Sequence, residues 1–261
     1  MNAAELVDVG SQTSVHALSQ YDRELLHLSS RIQAHGALFY FHQSTLVVTH
    51  VSQNIADFLP SLFVPTLGER LPDYFLERLG RYVLEDGQHL VRERVLDTPS
   101  GSLDIRMVQH QEMILVEIER SAKTNDTPYP FLDAQKKLLI MPSNEQALQG
   151  YHQTLVESIR EMTQFSRVMI YRFHEDLSGE VIAEAAESNL YLGLRFSASD
   201  IPAVARNLYQ VNPYRTIPHV GGATVDILSF VGLSPDLTFS DLRSVPPAHI
   251  LYLYNMAVKS S

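Results

Sequence analysis

The chain has 261 residues, room for about two domains, and a 45% hydrophobic share that can fill a core in each. A formal net charge of -10 without clustered basic residues opposes nucleic-acid binding, and no apolar run approaches the ~18 residues a membrane span needs. The absence of cysteine excludes disulfides, thiolate zinc sites and iron–sulfur ligation, and the eleven histidines show no H-E-x-x-H or comparable ligand spacing.

An irregular arm runs from Met1 to about Ser30. It carries Glu5, Asp8, Asp22 and Glu24 without the basic start and apolar core of an export signal, which predicts a cytoplasmic protein. Strand-like runs follow at Leu38 to His42 and Leu46 to Val51, with Gln43-Ser44 as the turn. Asn54 to Leu59 and Pro72 to Leu84 read as short helices. His89 to Leu96, Ser102 to Gln109 and Met113 to Arg120 read as strands, the last two closed by His110-Gln111-Glu112. The segment Ala122 to Lys137 holds Pro128 and Pro130, sustains no period and reads as a linker.

A second domain begins beyond it. Ser143 and Gln146 have capping-box spacing, and Leu148, Tyr151, Leu155, Ile159 and Met162 fall on one helix face. Strands Arg167 to Phe173 and Glu180 to Ala186, joined by Asp176-Leu177-Ser178-Gly179, make an antiparallel pair with Tyr171 and Phe173 on one face.

The stretch Arg195-Phe196-Ser197-Ala198-Ser199-Asp200-Ile201-Pro202-Ala203, with Tyr209 and Arg215 beyond it, combines a turn, aromatic rings and a fixed cation, which reads as the rim of a ligand pocket. Pro202 suits a first helical turn capped by Ser199 or Asp200, so a helix should run to about Gln210 and a strand should occupy Thr216 to Val220. A capped surface helix is the plainer account. Pro246-Pro247 opens another helix, on which His249, Tyr252 and Met256 share a face at spacings of three and four. On residue chemistry alone, Arg215 and Arg243 could be surface ion pairs, His249 a satisfied core histidine, and the aromatics core.

The Arg195 to Ala203 run resembles the PASDIP signature of the phytochrome GAF domain, with Ser197 in place of its first proline. The resemblance continues through Val168 to Phe173, Gly179 to Ala185, Tyr191-Leu192-Gly193, Asp200 to Tyr209, and Leu242-Arg243-Ser244 with His249, Tyr252 and Asn255-Met256. It includes Ile32-Gln33-Ala34-His35-Gly36-Ala37-Leu38, similar to the entry of the phytochrome PAS domain. Together these ordered motifs, spanning residues 21 to 261, are similar to bacteriophytochromes. The resemblance implies an α+β architecture: an arm (1–20), a PAS domain (21–121), a linker (122–142) and a GAF domain (143–261), each domain an antiparallel sheet flanked by helices. It also implies a figure-eight knot, with the arm threading a GAF loop over 217–245.

It implies, further, a linear tetrapyrrole such as biliverdin lying between the GAF sheet and the Pro202 helix. Such a ligand needs an apolar slot with a few polar groups. Arg215 and Arg243 stand where the family meets a propionate, and guanidinium suits bidentate capture of carboxylate. His249 stands where a histidine bonds near the pyrrole nitrogens, and the Asp200 carbonyl where one accepts from the pyrroles. Tyr171, Phe196, Tyr209 and Tyr252 would cage the ring that rotates on illumination. With Ile201, Pro202 and Ser261 these form the implied cofactor-binding set.

Two departures modify that expectation. Tyr21 and Ala248 stand at the family's two cysteine anchor positions, so a bilin would be held non-covalently. A dissociation constant of about 1 μM, roughly -8 kcal/mol, is within reach without a bond. The resemblance also stops inside the GAF domain, where further strands and serines facing the second propionate would follow; of that group only Ser261 is present. A GAF domain incomplete at its C-terminus would leave sheet edges open to dimerisation. Without a PHY domain or kinase, the signal would pass to a homodimer or a separate output protein. The expected function is red/far-red light sensing through a non-covalent biliverdin-like bilin. The alternative is a ligand-free PAS-GAF signalling or dimerisation remnant. No nucleophile–base pair, phosphate loop or metal motif points to an enzyme.

Overall fold

A computed structural model describes residues 26–59, 64–79, 85–121, 129–187, 191–198, 200–201 and 203–261. The chain divides into two units, Met1–Ala122 with Ala203–Ser261, and Lys123–Pro202. The expected second domain, 143–261, is thus shared between them. Tyr21, Ser199 and Pro202, and the arm whose threading would make a knot, lie outside the described residues.

The first unit contains β1 (Arg31–Gln33), β2 (Gly36–His42), β3 (Val48–Ser52), the short helices α1 (Ile55–Phe58) and α2 (Asp73–Leu79), and the strands β4 (His89–Thr98), β5 (Gly101–His110) and β6 (Met113–Arg120). In β2 the side chains alternate between faces, and both sets are apolar: Ala37, Phe39 and Phe41 on one face, Leu38 and Tyr40 on the other. Such a strand must be covered twice. On one face Phe39 meets Phe75 edge-on at 5.7 Å, with Ile55, Phe58 and Leu71 completing that layer. On the other, Leu38, Val108 and Leu115 are covered by Ile227, Leu237 and Leu242, from the C-terminal stretch of the chain.

The second unit is built from α3 (Tyr129–Leu138), α4 (Glu145–Thr163), β7 (Arg167–Phe173), β8 (Gly179–Ala186) and the two-residue β9 (Arg195–Phe196), paired antiparallel in that order. The stretch expected to be a linker therefore contains a helix. Pro130 is its second residue, a place where a missing N–H costs nothing, and the Tyr151 hydroxyl donates to the Leu138 carbonyl at 3.2 Å to bind its end to α4. The α4 cap is Asn144 rather than Ser143, its side chain accepting from the Ala147 N–H at 2.8 Å. The expected apolar stripe on α4 is only partly covered, with Leu148 and Met162 exposed. Val156, one residue off the stripe, is fully buried against Ala183 and Ala185, whose small side chains let helix and sheet approach closely.

Returning to the first unit, α5 (Ala203–Val211) takes the place of the expected Pro202 helix, followed by β10 (Thr224–Ser229) and α6 (Pro247–Asn255). The sheet order is β1-β10-β3-β2-β6-β5-β4, antiparallel throughout. Thus a stretch expected to be loop supplies a strand between β1 and β3. Conversely, Thr216 to Val220 is not a strand of a sheet. Pro218 has no N–H to give a ladder, and only Ile217, which exchanges both backbone bonds with Ser261, and Val220, which donates to the Lys259 carbonyl at 2.8 Å, pair with the chain end. Among the described residues no helix is long and apolar enough to cross a membrane.

Candidate functional site

In the second unit the aromatic residues of the expected cage are brought together by the β7–β8 hairpin. Tyr171 contacts Phe173 edge-on at 5.2 Å and Phe196 at 5.8 Å. Strand β9 carries Phe196 opposite Gly179, and the Tyr171 ring occupies the space a Cβ on Gly179 would take. A tight turn follows, in which the Asp200 N–H donates to the Ser197 carbonyl at 3.0 Å, with Asp200 and Ile201 half-buried. Gly179 escapes the sequence pattern, where it reads only as a turn residue.

In the first unit, α5 buries Ala205 and Leu208 and leaves Tyr209 exposed. Beyond it Arg215 spreads its Nη2 over two carbonyls, those of Arg243 and Ser244, each at 2.8 Å. Arg243 is buried, its Nη1 donating to the Leu237 carbonyl at 3.2 Å. On α6, Ala248 and Leu253 are buried and Leu253 packs on Ile217 and Val220. His249 and Tyr252 are half-buried on the same helix. Burial, then the Arg215 cation, pull the His249 pKa down to about 4, so its imidazole is neutral at pH 7 and able both to donate and to accept. Arg215 and the backbone of Arg243 are thereby joined on the stretch that leads into the helix carrying His249. The Ser261 N–H donates to the Ile217 carbonyl at 2.9 Å, and its side chain is exposed.

What holds that stretch down is a buried ionic cluster. Glu117, 1% exposed, lies in β6 beside Arg106 of β5 at 2.9 Å. Its carboxylate also accepts from the Ser240 hydroxyl at 2.5 Å and the Leu242 N–H at 3.2 Å. Arg106 further pairs with Asp241 and donates to the Phe239 carbonyl at 3.0 Å. Asp241 in turn accepts from the Asn212 side chain at 3.1 Å, just after α5. Burial pushes the Glu117 carboxyl up against the opposing pull of Arg106. A glutamate in the middle of Met-Ile-Leu-Val-Glu-Ile is the one sequence signal of this cluster, since a charge inside a buried strand needs a partner.

The donor set can be matched to a linear tetrapyrrole by its chemistry. Two guanidinium groups suit two carboxylates, and a neutral imidazole suits pyrrole N–H groups or a bridging water. The aromatic rings suit an extended conjugated plane.

The family described as PAS fold matches residues 21–121. The chain is 35% identical to a bacteriophytochrome of Pseudomonas aeruginosa, over 94% of this chain and 34% of that protein. It is 32% identical to the phytochrome-like protein Cph1 of Synechocystis, over 96% of this chain and 36% of the other. It therefore spans about a third of the length of these curated relatives. The solved chromophore binding domain of Stigmatella aurantiaca phytochrome P1 superposes with a TM-score of 0.73 at 32% identity, covering 92% of this chain and 83% of that one.

Proposed function

We propose, from the premise that the chain belongs to the phytochrome family, that it is the light-sensing part of a photoreceptor and holds a biliverdin-like bilin without a covalent bond. The observation that carries this reading is that Arg215 donates to the Arg243 and Ser244 carbonyls at 2.8 Å, which joins two guanidinium-bearing residues on the stretch that leads into the helix carrying His249. Arg215 and Arg243 supply positive charge for the propionates, and His249 bonds toward the pyrroles. The family motifs assign Tyr171, Phe196, Asp200, Ile201, Pro202, Tyr209 and Tyr252 to the pigment. The bilin supplies a conjugated double bond that isomerises on absorbing light. The protein's part is to orient it, exclude water and bias which isomer is stable. With no cysteine in the chain, uptake is an equilibrium that depends on bilin concentration. Residues 143–261 act in this reading as the GAF portion.

Mixing the purified chain with biliverdin and recording visible spectra before and after red light tests the proposal. A red-shifted band that photoconverts is the expected result. No band removes the ligand, and a band that does not photoconvert removes the photochemistry.

One observation favours a second reading. Arg215 and Arg243 both already bond backbone carbonyls of the chain itself, as they would in a ligand-free PAS-GAF scaffold serving dimerisation. The same titration separates the two.

A further inference from the structure

Glu184 is 0% exposed, the most enclosed acidic group of the second unit's described residues. It lies in β8, and Arg167 of β7 is its diagonal cross-strand neighbour, the register pairing Met169 with Glu184 and Arg167 with Ala186. One carboxylate oxygen pairs with the Arg167 guanidinium. The other accepts from two successive backbone N–H groups, Tyr191 at 3.0 Å and Leu192 at 2.9 Å. Arg167 also lies over the Tyr191 ring, 4.7 Å from its centroid. Both oxygens of the buried carboxylate are thus engaged by β7 and by the start of the 191–194 turn.

That turn leads straight into the proposed pigment-lining segment. The Leu194 N–H closes on the Tyr191 carbonyl at 2.9 Å, and the Gly193 N–H donates to Val181 at 2.8 Å. Strand β9 follows with only two residues, paired to Gly179 and Glu180. So short a strand has little hold of its own, yet it places Phe196 against Tyr171. An apolar side chain at 184 would bury more cheaply than a charge, but it could not aim two adjacent amides. Removing the acceptor leaves those N–H groups unmet and frees the turn.

We propose that Glu184 is the positioning residue for the Tyr171–Phe196 ring pair, acting through the Tyr191 and Leu192 amides, and thereby tunes photoconversion of the bound bilin. Its functional half rests on the photoreceptor reading above. Glu184→Leu removes both acceptors, while Glu184→Gln keeps one oxygen for the two amides and gives up the Arg167 pair.

Amide hydrogen exchange on the pigment-free chain reads the clamp. In Glu184→Leu, protection at 191–196 should fall about tenfold or more while the β7–β8 amides keep theirs, and Glu184→Gln should retain most of it. With saturating biliverdin, Glu184→Leu should still show the red band and lose photoconversion yield, and Glu184→Gln should recover it. Unchanged exchange at 191–196, or a loss spread evenly over 167–196, overturns the clamp. A loosened turn with wild-type photoconversion overturns its role in tuning. If Glu184→Leu does not fold, loss of protection in Glu184→Gln at Tyr191 and Leu192 overturns the proposal and retention upholds the clamp. A wild-type chain that takes up no biliverdin overturns the photoreceptor reading and the tuning role with it, while the exchange pattern still decides the clamp.

Discussion

Tyr171 lies across Gly179, its ring filling the space that any side chain at 179 would need. Tyr171 pairs with Val181, and Phe173 with Gly179, just beyond a shift in the β7–β8 register between Ile170 and Tyr171. The absent side chain lets the ring lean along the hairpin until it meets both Phe173 and Phe196. Gly179→Ala should therefore expel the ring, at a cost of about 1–3 kcal/mol for overpacking, while β8 keeps its pairing. Thermal unfolding measures the cost, and the visible spectrum of the loaded protein should shift because the rings move. A wild-type melting temperature in Gly179→Ala would show that Tyr171 has room elsewhere.

Arg215 acts on His249 by charge and on residues 243 and 244 by hydrogen bonds. Arg215→Gln keeps a donor for one carbonyl and removes the cation. Two results are expected together: the His249 pKa rises from about 4, and biliverdin affinity falls about tenfold, roughly 1.4 kcal/mol. NMR titration of the imidazole and a spectroscopic bilin titration read the two. Unchanged uptake with a raised His249 pKa would assign Arg215 a purely structural part.

Much of this was legible in local pattern. The alternation along β2, the proline pair before α6 and the β7–β8 hairpin each follow from short-range periodicity. What escaped is non-local. In β10 only Ile227 is buried, so its own sequence carries a weak signal, and its partners in β1 and β3 lie more than a hundred residues earlier. Thr216 to Val220 has the β-branched content of a strand, but Pro218 removes a ladder donor. Pro130 reads as a breaker until its place in the first turn of α3 is seen. Of the candidate site, the cations and His249 were visible as types at motif positions. The groups that act through position, Glu117 on residues 240–242 and Glu184 and Gly179 around the Tyr171–Phe196 rings, take their meaning only from partners brought in by the fold.

The pH dependence of stability should contain two opposed parts. The His249 pKa is held at about 4 against an ordinary 6.5, so within that window the unfolded chain binds more protons and stability is lost as pH falls. Burial lowers His35, His50 and His89 in the same sense. Glu119 behaves oppositely. Burial, then the Glu117 and Asp241 carboxylates, raise it to about 7 from 4.5, so its contribution is present below 4.5 and lost as pH rises through 7, and Glu117 is raised likewise. Urea midpoints between pH 4 and 7 should rise more steeply with pH in Glu119→Gln than in wild type, and less steeply in His249→Gln. Slopes that change in the same direction in both variants would refute this assignment.

The Arg106–Glu117–Asp241 cluster should matter more to stability than an exposed ion pair, because it joins β5 and β6 to residues 239–242. Glu117→Ala leaves Arg106, which is 13% exposed, with Asp241 as its remaining carboxylate in the cluster, and leaves the Leu242 amide and Ser240 hydroxyl unmet. Breaking one side of a buried pair costs about 3–5 kcal/mol. Replacing all three ions, as Arg106→Met with Glu117→Leu and Asp241→Asn, should cost less than Glu117→Ala alone, since no charge is left buried. Chemical denaturation of the single, double and triple variants yields the coupling energies directly. Because Leu242 precedes Arg243 and covers the second face of the sheet with Leu237, Glu117→Ala should also raise exchange at 240–244 and weaken bilin uptake. Additive single-variant costs would mean that the cluster is not a unit, and that the sheet grips residues 240–242 through apolar packing and the Gln33 N–H bond to the Leu242 carbonyl.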